Sequence, residues 1–264
     1  INEQATAENA RRLRDAVGDI LQVNVDRSPL YRNWHADIST DLGYLRDLGQ
    51  VMWDMCDNPE WLHRLVSFMS ESILAVHDQA EQAGHWQLAA AENQAMPYSL
   101  ETPDPGANSE PVTRDRLWCF CAAQEMAQVG PAMHEEFLLR YQLPIIEKFA
   151  LSAYGCCEDL TNKIDMLRQI PNLRRIAVTA WADVGRCAEQ IGSDYVLSWR
   201  PSPANMVCTQ FDPDYIRRSV RDAMEAARGC HVDVTLKDVQ TVEGEAERLL
   251  QWAPIVRSVS DDYA

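Results

Sequence analysis

The sequence predicts an α/β fold, and three features of the chain support this prediction. Short apolar runs of strand type, about seven in number, alternate with segments of helical periodicity. The connections between them are short, roughly two to six residues, as is usual in βα units. The chain has 264 residues, which is enough to build one large core. This alternation predicts a mainly parallel sheet.

Two ways of completing a parallel sheet are open. A (β/α)8 TIM barrel has its active site at the C-terminal ends of the strands, whereas an open doubly wound sheet has it at a switch point. The sequence contains neither the glycine-rich dinucleotide fingerprint nor a P-loop, which favours the barrel. We expect one barrel domain over residues 1–264, with an N-terminal helical segment at residues 1–32. Because the first residue is Ile1 rather than Met, we also expect an upstream segment.

The N-terminal third is predicted to be mainly helical. Apolar side chains at helical spacing predict three helices, at residues 5–21, 42–56 and 61–83. The third is long and amphipathic, with Pro59 ahead of its first turn and Gly84 after its last. Two short runs, residues 33–38 and 85–90, predict strands.

The remainder of the chain alternates strand and helix patterns. Apolar runs predict strands at residues 117–123, 150–154, 175–180, 194–199 and 231–236. Helical patterns follow them at residues 133–141, 162–169, 184–191, 213–227 and 242–252. Because parallel strands end at the same edge of a sheet, we expect the polar residues after each strand to meet there.

Composition excludes some classes of function. The net charge of −16 argues against a nucleic-acid-binding surface and against attachment to an anionic membrane. No run of about 18 apolar residues is present, so no transmembrane helix is predicted. The eight cysteines lack both CxxC pairs and the density of a secreted disulfide framework. This cysteine usage predicts reduced thiols and a cytoplasmic protein.

The most informative stretch is the end of the predicted central strand, where Gly155 is followed by Cys156, Cys157 and Glu158. The two thiols are candidate metal ligands, for zinc in particular, since a bound metal acts as a Lewis acid. The alternative is that they are buried and pack as small apolar residues. Cys119 and Cys121, which share one side of a predicted strand, are more typical of a core.

Carboxylates follow three predicted strands, at Glu92, Glu125 and Glu158. If the barrel is right they converge on one edge, where they could bind a metal or act as general acid and base. The alternative is that they are solvated loop carboxylates or favourable charges at helix N-termini.

Two later strands end in aromatic and charged residues: Trp181, Asp183, Trp199 and Arg200. Aromatic walls with an arginine suit a substrate that has a flat ring or a carboxylate, although barrel-mouth packing is the alternative. Lys237 and Asp238 end the last strand and either form an ion pair or hold a substrate carboxylate. These residues complete the predicted small-molecule site, with Asp183 as a further catalytic candidate.

Several short motifs occur in a recognisable order along most of the chain, roughly residues 40–252. They are Asp57-Asn58-Pro59-Glu60-Trp61, Gly130-Pro131, Phe137-Leu138-Leu139-Arg140-Tyr141-Gln142-Leu143-Pro144 and Tyr154-Gly155-Cys156. This order resembles the uroporphyrinogen decarboxylase-like superfamily, and is closest to its methyltransferase-like and uncharacterised branch in anaerobes. The resemblance implies a (β/α)8 barrel.

The resemblance implies one of two chemistries. The decarboxylase proper binds a tetrapyrrole with N-terminal arginines and a central Asp, and that arginine-rich signature is absent here. The other branch moves methyl groups to or from corrinoids, and its coenzyme M methyltransferases hold zinc through His-x-Cys and a later Cys. Here Cys156 falls on the first Cys, but Tyr154 stands in place of the His and Lys237-Asp238 offers no Cys. The zinc set as a whole therefore does not carry over.

Three functions follow as hypotheses. The first is a methyltransferase that moves a methyl group from a small methylated substrate to a corrinoid on a partner protein, with a metal held by some of Cys156, Glu125, Glu92 and Glu158. The second is a metal-free decarboxylase that depends on Arg200, Lys237 and Asp183. The third is a barrel that binds a corrinoid or a partner without catalysis.

Overall fold

Five parallel strands form the central sheet of the computed structural model, which describes residues 2–29, 36–88, 99–104, 106, 108–209 and 211–263. The strands are β1 (Trp118–Cys121), β2 (Leu151–Tyr154), β3 (Leu173–Thr179), β4 (Val196–Arg200) and β5 (His231–Val234). They lie in the order β1-β2-β3-β4-β5, so each strand pairs with the next one along the chain. The predicted parallel α/β fold is confirmed. Eight-stranded closure would need more strands than the described residues contain.

Helices precede the sheet and connect its strands. Their bounds are α1 (Glu3–Val17), α2 (Ile38–Arg46), α3 (Leu48–Asp57), α4 (Pro59–Gln82), α5 (Pro131–His134), α6 (Arg140–Ile146), α7 (Ile164–Leu167), α8 (Val184–Ile191), α9 (Pro213–Ala226) and α10 (Glu247–Ser260). Within the described ranges, no helix combines the length and the apolar character needed to span a membrane.

The sequence explains where the best-predicted helices begin and end. Helix α4 starts with Pro59, whose fixed φ suits a first helical position, and Gly84 follows its end with φ +68°. Helix α8 starts after Asp183, whose side chain accepts a hydrogen bond from the backbone N–H of Arg186. The predicted bounds of α8, residues 184–191, are confirmed at both ends.

Several predicted elements are wrong. Ile38 begins helix α2 rather than ending a strand, because Asp37 caps that helix by accepting from the Thr40 N–H. Residues 85–88 form no strand. The remaining parts of the two predicted strands, residues 33–35 and 89–90, lie outside the described residues. The predicted helix 42–56 is divided at Asp47, which has φ 68° and caps α3 with its side chain. The last helix begins at Glu247, later than predicted.

The two faces of the sheet differ in what covers them. Cys119, Cys121, Tyr154 and Val178 belong to the large apolar core shared with the helices, and we call this the helix-facing side. The opposite side carries a smaller cluster of six buried residues: Trp118, Phe120, Ala122, Leu151, Ala153 and Cys156. On β3 to β5 the same side of the sheet carries the polar residues Arg175, Ser198 and Asp233. This side is therefore more polar than the helix-facing side.

Candidate functional site

A small cleft of about 100 Å³ opens at the C-terminal ends of β2, β3, β4 and β5. Six residues predicted for the site line it: Cys156, Cys157, Trp181, Arg200, Lys237 and Asp238. Thr179, Ser202 and Pro203 also line the cleft and were not predicted. The parallel register of the sheet brings these residues together from segments that are far apart in sequence.

The turn after β2 positions the two thiols, and it begins at Gly155. This residue has φ +101°, a left-handed conformation that side-chain-bearing residues rarely adopt. A Cβ atom at this position would lie 2.6 Å from Leu160 Cδ1 and 2.9 Å from the Ala177 Cβ atom. The local conformation therefore requires glycine.

Glu158 ties the ends of two strands together. Its Oε1 atom accepts a hydrogen bond of 2.9 Å from the Ala123 N–H, just after β1, and its Oε2 atom accepts one of 2.8 Å from the Cys156 N–H. The side chain is almost fully buried. Both carboxylate oxygens thus satisfy backbone donors that would otherwise be buried without partners. This geometry makes Glu158 a positioning residue for the turn.

Arg200 holds the same turn from the other side. Its Nη1 atom donates to the carbonyl oxygens of Gly155, at 3.1 Å, and Cys156, at 3.0 Å. Its guanidinium lies 5.9 Å from the ring centre of Phe120. Burial lowers the pKa of Arg200 from its usual value. The predicted substrate-binding arginine lies at the cleft, with Nη1 directed at the backbone.

Four functional groups converge at the cleft. The Sγ atoms of Cys156 and Cys157 lie 3.5 Å apart. The Lys237 Nζ atom lies 2.9 Å from the Cys157 Sγ atom and 3.7 Å from that of Cys156, and it also contacts the Asp238 carboxylate. Cys156 and Lys237 are buried, Cys157 is half-buried and Asp238 is exposed.

These contacts change the acidity of two groups. The hydrogen bond from Cys156 and the ammonium of Lys237 outweigh partial burial and lower the pKa of Cys157 to about 6. Burial lowers the pKa of Lys237, but the hydrogen bonds to Asp238 and Cys157 outweigh it and the net pKa is raised. At neutral pH Cys157 is therefore mainly a thiolate next to a charged lysine. Such a pair offers both a nucleophile and a hydrogen-bond donor.

Of the zinc ligands predicted from the sequence, the structure describes Cys156, Cys157, Glu125 and Glu158. In the part of the chain that the structure describes, no three His, Cys, Asp or Glu side chains are grouped as a metal site. Glu158 is used by backbone donors, and the Lys237 ammonium lies against both thiols. Cys156 and Cys157 alone leave a tetrahedral zinc short of protein ligands. Their role as metal ligands stays a prediction.

The other predicted residues lie in different environments. Trp181 is 81% exposed at the rim of the cleft, whereas Trp199 is buried on the helix-facing side. Asp183 caps helix α8. Glu125 accepts hydrogen bonds from the hydroxyls of Ser39 and Thr40, at 2.6 and 3.0 Å. Glu92 lies outside the described residues.

Sequence reasoning missed two polar features of the structure: the buried Asp37 and the ion pair between Arg175 and Asp233. The pKa of Asp37 is raised to about 6 by burial, which makes it a possible acid or base. The buried Arg175 on β3 forms a two-bond ion pair with the partly exposed Asp233 on β5, at 2.6 and 2.7 Å. The sequence did contain a signal for this ion pair, since Arg175 and Asp233 are charged residues inside apolar strand patterns. Charged residues are rarely buried without a partner.

No protein-family model matches the chain, and no curated protein matches it.

Proposed function

We propose that this protein is a methyltransferase on a uroporphyrinogen decarboxylase-like (β/α)8 barrel, which moves a methyl group from a small methylated substrate to a corrinoid protein. The observation that carries the proposal is the close pair of Lys237 ammonium and Cys157 sulfur, 2.9 Å apart, in the cleft at the strand ends. The resemblance of the motifs supplies the reaction class, and the cleft supplies the chemical groups.

The sheet supports the barrel part of this proposal. All five strands are parallel and adjacent in chain order, with helices packed on one side. TIM barrels have this sequential order, and their active sites lie at the C-terminal ends of the strands. Doubly wound sheets instead reverse their strand order at a switch point, and β1 to β5 contain no reversal.

The cleft supports a role for Lys237 at the leaving heteroatom. An ammonium group has three donors, and here one contacts Asp238, one contacts Cys157 and the longest contact, 3.7 Å, goes to Cys156. We propose that this third donor binds the oxygen or nitrogen that loses the methyl group. Charge developing on that heteroatom is then stabilised in a partly dry site. A partner corrinoid, when bound, supplies the methyl acceptor.

Trp181 supports a substrate or partner contact at the rim. Its side chain is 81% exposed although it lines the cleft. Exposed tryptophans next to a cleft are typical of binding surfaces, because they bury a large apolar area on contact. We propose that Trp181 covers the methylated substrate.

A spectroscopic assay tests the methyltransferase. Purified protein is mixed with reduced cobalamin and, in turn, methanol, methylamines and methoxylated aromatics, and methylation of the cobalt is followed by absorbance. We expect one class of donor to react, and Lys237→Met to slow that reaction by about tenfold or more. The exposed Lys148→Met variant is the matched control. If no donor alters the corrinoid spectrum, the proposal is wrong.

Metal analysis tests the zinc prediction separately. Elemental analysis of the protein and of Cys156→Ala distinguishes a thiol-held metal from an adventitious one. About one zinc per chain that is lost in the variant would assign Cys156 as a ligand. Zinc that stays in the variant, or none in either protein, would remove it from the mechanism and leave Lys237 as the positive group.

A decarboxylase is the second candidate, and the positive groups at the cleft favour it. Lys237 and Arg200 both line the cleft and suit a carboxylated substrate. This version needs no thiol, so Cys156→Ala would keep nearly full activity while Lys237→Met would lose it. Release of CO₂ from porphyrinogen carboxylates is the measurement, and a large loss in Cys156→Ala would exclude this candidate.

A further inference from the structure

The adjacent thiols at the cleft, Cys156 and Cys157, combine three features. Their Sγ atoms lie 3.5 Å apart, one of them reaches solvent, and a lysine ammonium lies 2.9 Å from that one. None of the eight cysteines, all of which are among the described residues, is in a disulfide. The turn that carries Cys156 and Cys157 is held through its backbone by Glu158 and Arg200, which keeps the two sulfur atoms side by side at the cleft.

We propose that Cys156 and Cys157 are a redox-active pair that closes into a disulfide between neighbouring residues when a peroxide enters the cleft. The proposal concerns a modification site and does not depend on which reaction the cleft catalyses. It rests on the separation of the two sulfur atoms and on their unequal environments.

The chemistry balances with a peroxide as the oxidant. The Cys157 thiolate attacks one oxygen of hydrogen peroxide, the O–O bond breaks, and a sulfenic acid and hydroxide form. The Cys156 thiol then attacks the Cys157 sulfur, the S–O bond breaks, and the hydroxyl leaves as water with the Cys156 proton. Two electrons pass from the two sulfur atoms to the peroxide, and one disulfide forms.

The environments decide which sulfur reacts first. Cys157 is half-buried and the Lys237 ammonium lies 2.9 Å from its Sγ atom, an arrangement that exposes the sulfur and favours its thiolate form. Cys156 is 2% exposed, which suits a resolving thiol that reacts only with its neighbour. By contrast, burial raises the pKa of Cys187 to about 11 and that of Cys121 well above its usual value. These core thiols are poor nucleophiles.

The product is expected to be easily reduced. Disulfides usually join Cα atoms that are about 4.4–6.8 Å apart, whereas neighbouring Cα atoms across a trans peptide are only about 3.8 Å apart. A bond between Cys156 and Cys157 is therefore strained, and strained disulfides have higher reduction potentials and are labile. This favours a reversible switch over a permanent cross-link.

Closure would also change Lys237. The disulfide removes the thiolate that its Nζ atom contacts at 2.9 Å, and leaves Asp238 as its charged neighbour. The cleft would keep its positive charge and lose its nucleophile.

Mass spectrometry tests the proposal on the intact chain. Reduced protein is treated with about one equivalent of hydrogen peroxide, remaining thiols are alkylated, and the digest is analysed. We expect the peptide with residues 156 and 157 to lose two hydrogens and to escape alkylation, and thioredoxin-type reduction to restore both thiols. Alkylation of both residues after treatment, or a bond from Cys157 to a different cysteine or to a second chain, would overturn the proposal.

Matched variants assign the two roles. Cys156→Ala should keep a sulfenic acid at residue 157 that a dimedone reagent traps, and Cys157→Ser should give neither trapped acid nor disulfide. Cys56→Ser removes an exposed cysteine outside the cleft and should leave disulfide formation unchanged. Because either cleft variant could misfold, wild-type protein is also tested with a dithiol-specific arsenical, which should block disulfide formation. Disulfide formation in Cys157→Ser, or in the arsenical-treated protein, would contradict the proposal.

Discussion

Two pairs of cysteines in neighbouring segments show how position determines the chemistry of a thiol. Cys119 and Cys121 lie within β1 on the helix-facing side, and both are fully buried. Burial raises the pKa of Cys121 well above its usual value. Cys156 and Cys157 lie just beyond β2, where Cys157 has a lysine neighbour and a pKa lowered to about 6. Within the strand, desolvation determines the pKa of the thiol. Beyond the end of the strand, a neighbouring segment supplies a charged partner that lowers the pKa.

The largest expected effect comes from placing a charge in the first pair. Cys121→Asp puts a carboxylate at a fully buried position in the apolar core, so we expect a loss of about 3–5 kcal/mol in the free energy of unfolding. Cys157→Asp puts the same carboxylate beside Lys237, and we expect a loss below about 1 kcal/mol. Urea denaturation measures both. Equal losses would show that the two environments do not differ as described.

A second test uses His134, which contacts Tyr154 on the same helix-facing side at 2.9 Å. Burial, with a smaller contribution from Lys163, lowers the pKa of His134 to about 3. Since the folded state binds this proton more weakly, its stabilising contribution is complete above pH 6.5 and is lost as the pH falls through about 3. We expect His134→Gln to reduce the fall in the free energy of unfolding between pH 6.5 and 3 by about 5 kcal/mol at most. The free energy of unfolding is measured by urea denaturation at a series of pH values. If its decrease below pH 6.5 is the same in the variant as in the wild type, this prediction is contradicted.

The third test removes the positive partner from the second pair. The hydrogen bond from Cys156 contributes most to the low pKa of Cys157, and the ammonium of Lys237 contributes next. Lys237→Met should therefore raise the pKa of Cys157 and slow its alkylation at neutral pH by about tenfold. The rate of iodoacetamide labelling is measured against pH, with Lys148→Met as the control. A profile that keeps its midpoint near 6 would show that the lysine has no effect.

The smallest expected effect has the opposite sign. The carboxylate of Asp238 lies 3.6 Å from the Cys157 Sγ atom and raises its pKa. Asp238→Asn should therefore lower the pKa further and move the midpoint of the alkylation profile to more acidic pH. Since Cys157 is already mainly ionised at neutral pH, we expect a rate change there of no more than about twofold. A rise in the midpoint would mean that Asp238 acts chiefly by holding Lys237.

The part of the fold that the sequence predicts best is the run of strands from β1 to β5. Local signals suffice there, because buried parallel strands are nearly continuous apolar runs and α8 carries its own cap at Asp183. Residues 85–88 and Ile38 were mispredicted because short apolar runs do not distinguish strands from other buried segments. Tertiary packing decides such segments.

Six of the predicted site residues line the cleft, but the sequence did not predict all of their roles. Proximity of Cys157, Lys237 and Asp238 follows from the common edge of a parallel sheet. The use of Glu158 for two backbone donors could not be read from the sequence, because those donors come from different strand ends. Trp199 points to the opposite side from Arg200 because side chains alternate along a strand, so the two residues cannot both face the cleft.

The cleft takes its groups from chain segments that are far apart, since Lys237 follows Cys157 by 80 positions. In an unfolded chain the thiol has no such neighbour, so its ordinary acidity returns. The part of the lowered pKa of Cys157 that Lys237 supplies should therefore appear only when β5 has docked beside β4 during folding. An increase in thiol reactivity at neutral pH would then report, in real time, the assembly of the last strand of the sheet, and a chain arrested before that step would carry a less reactive Cys157.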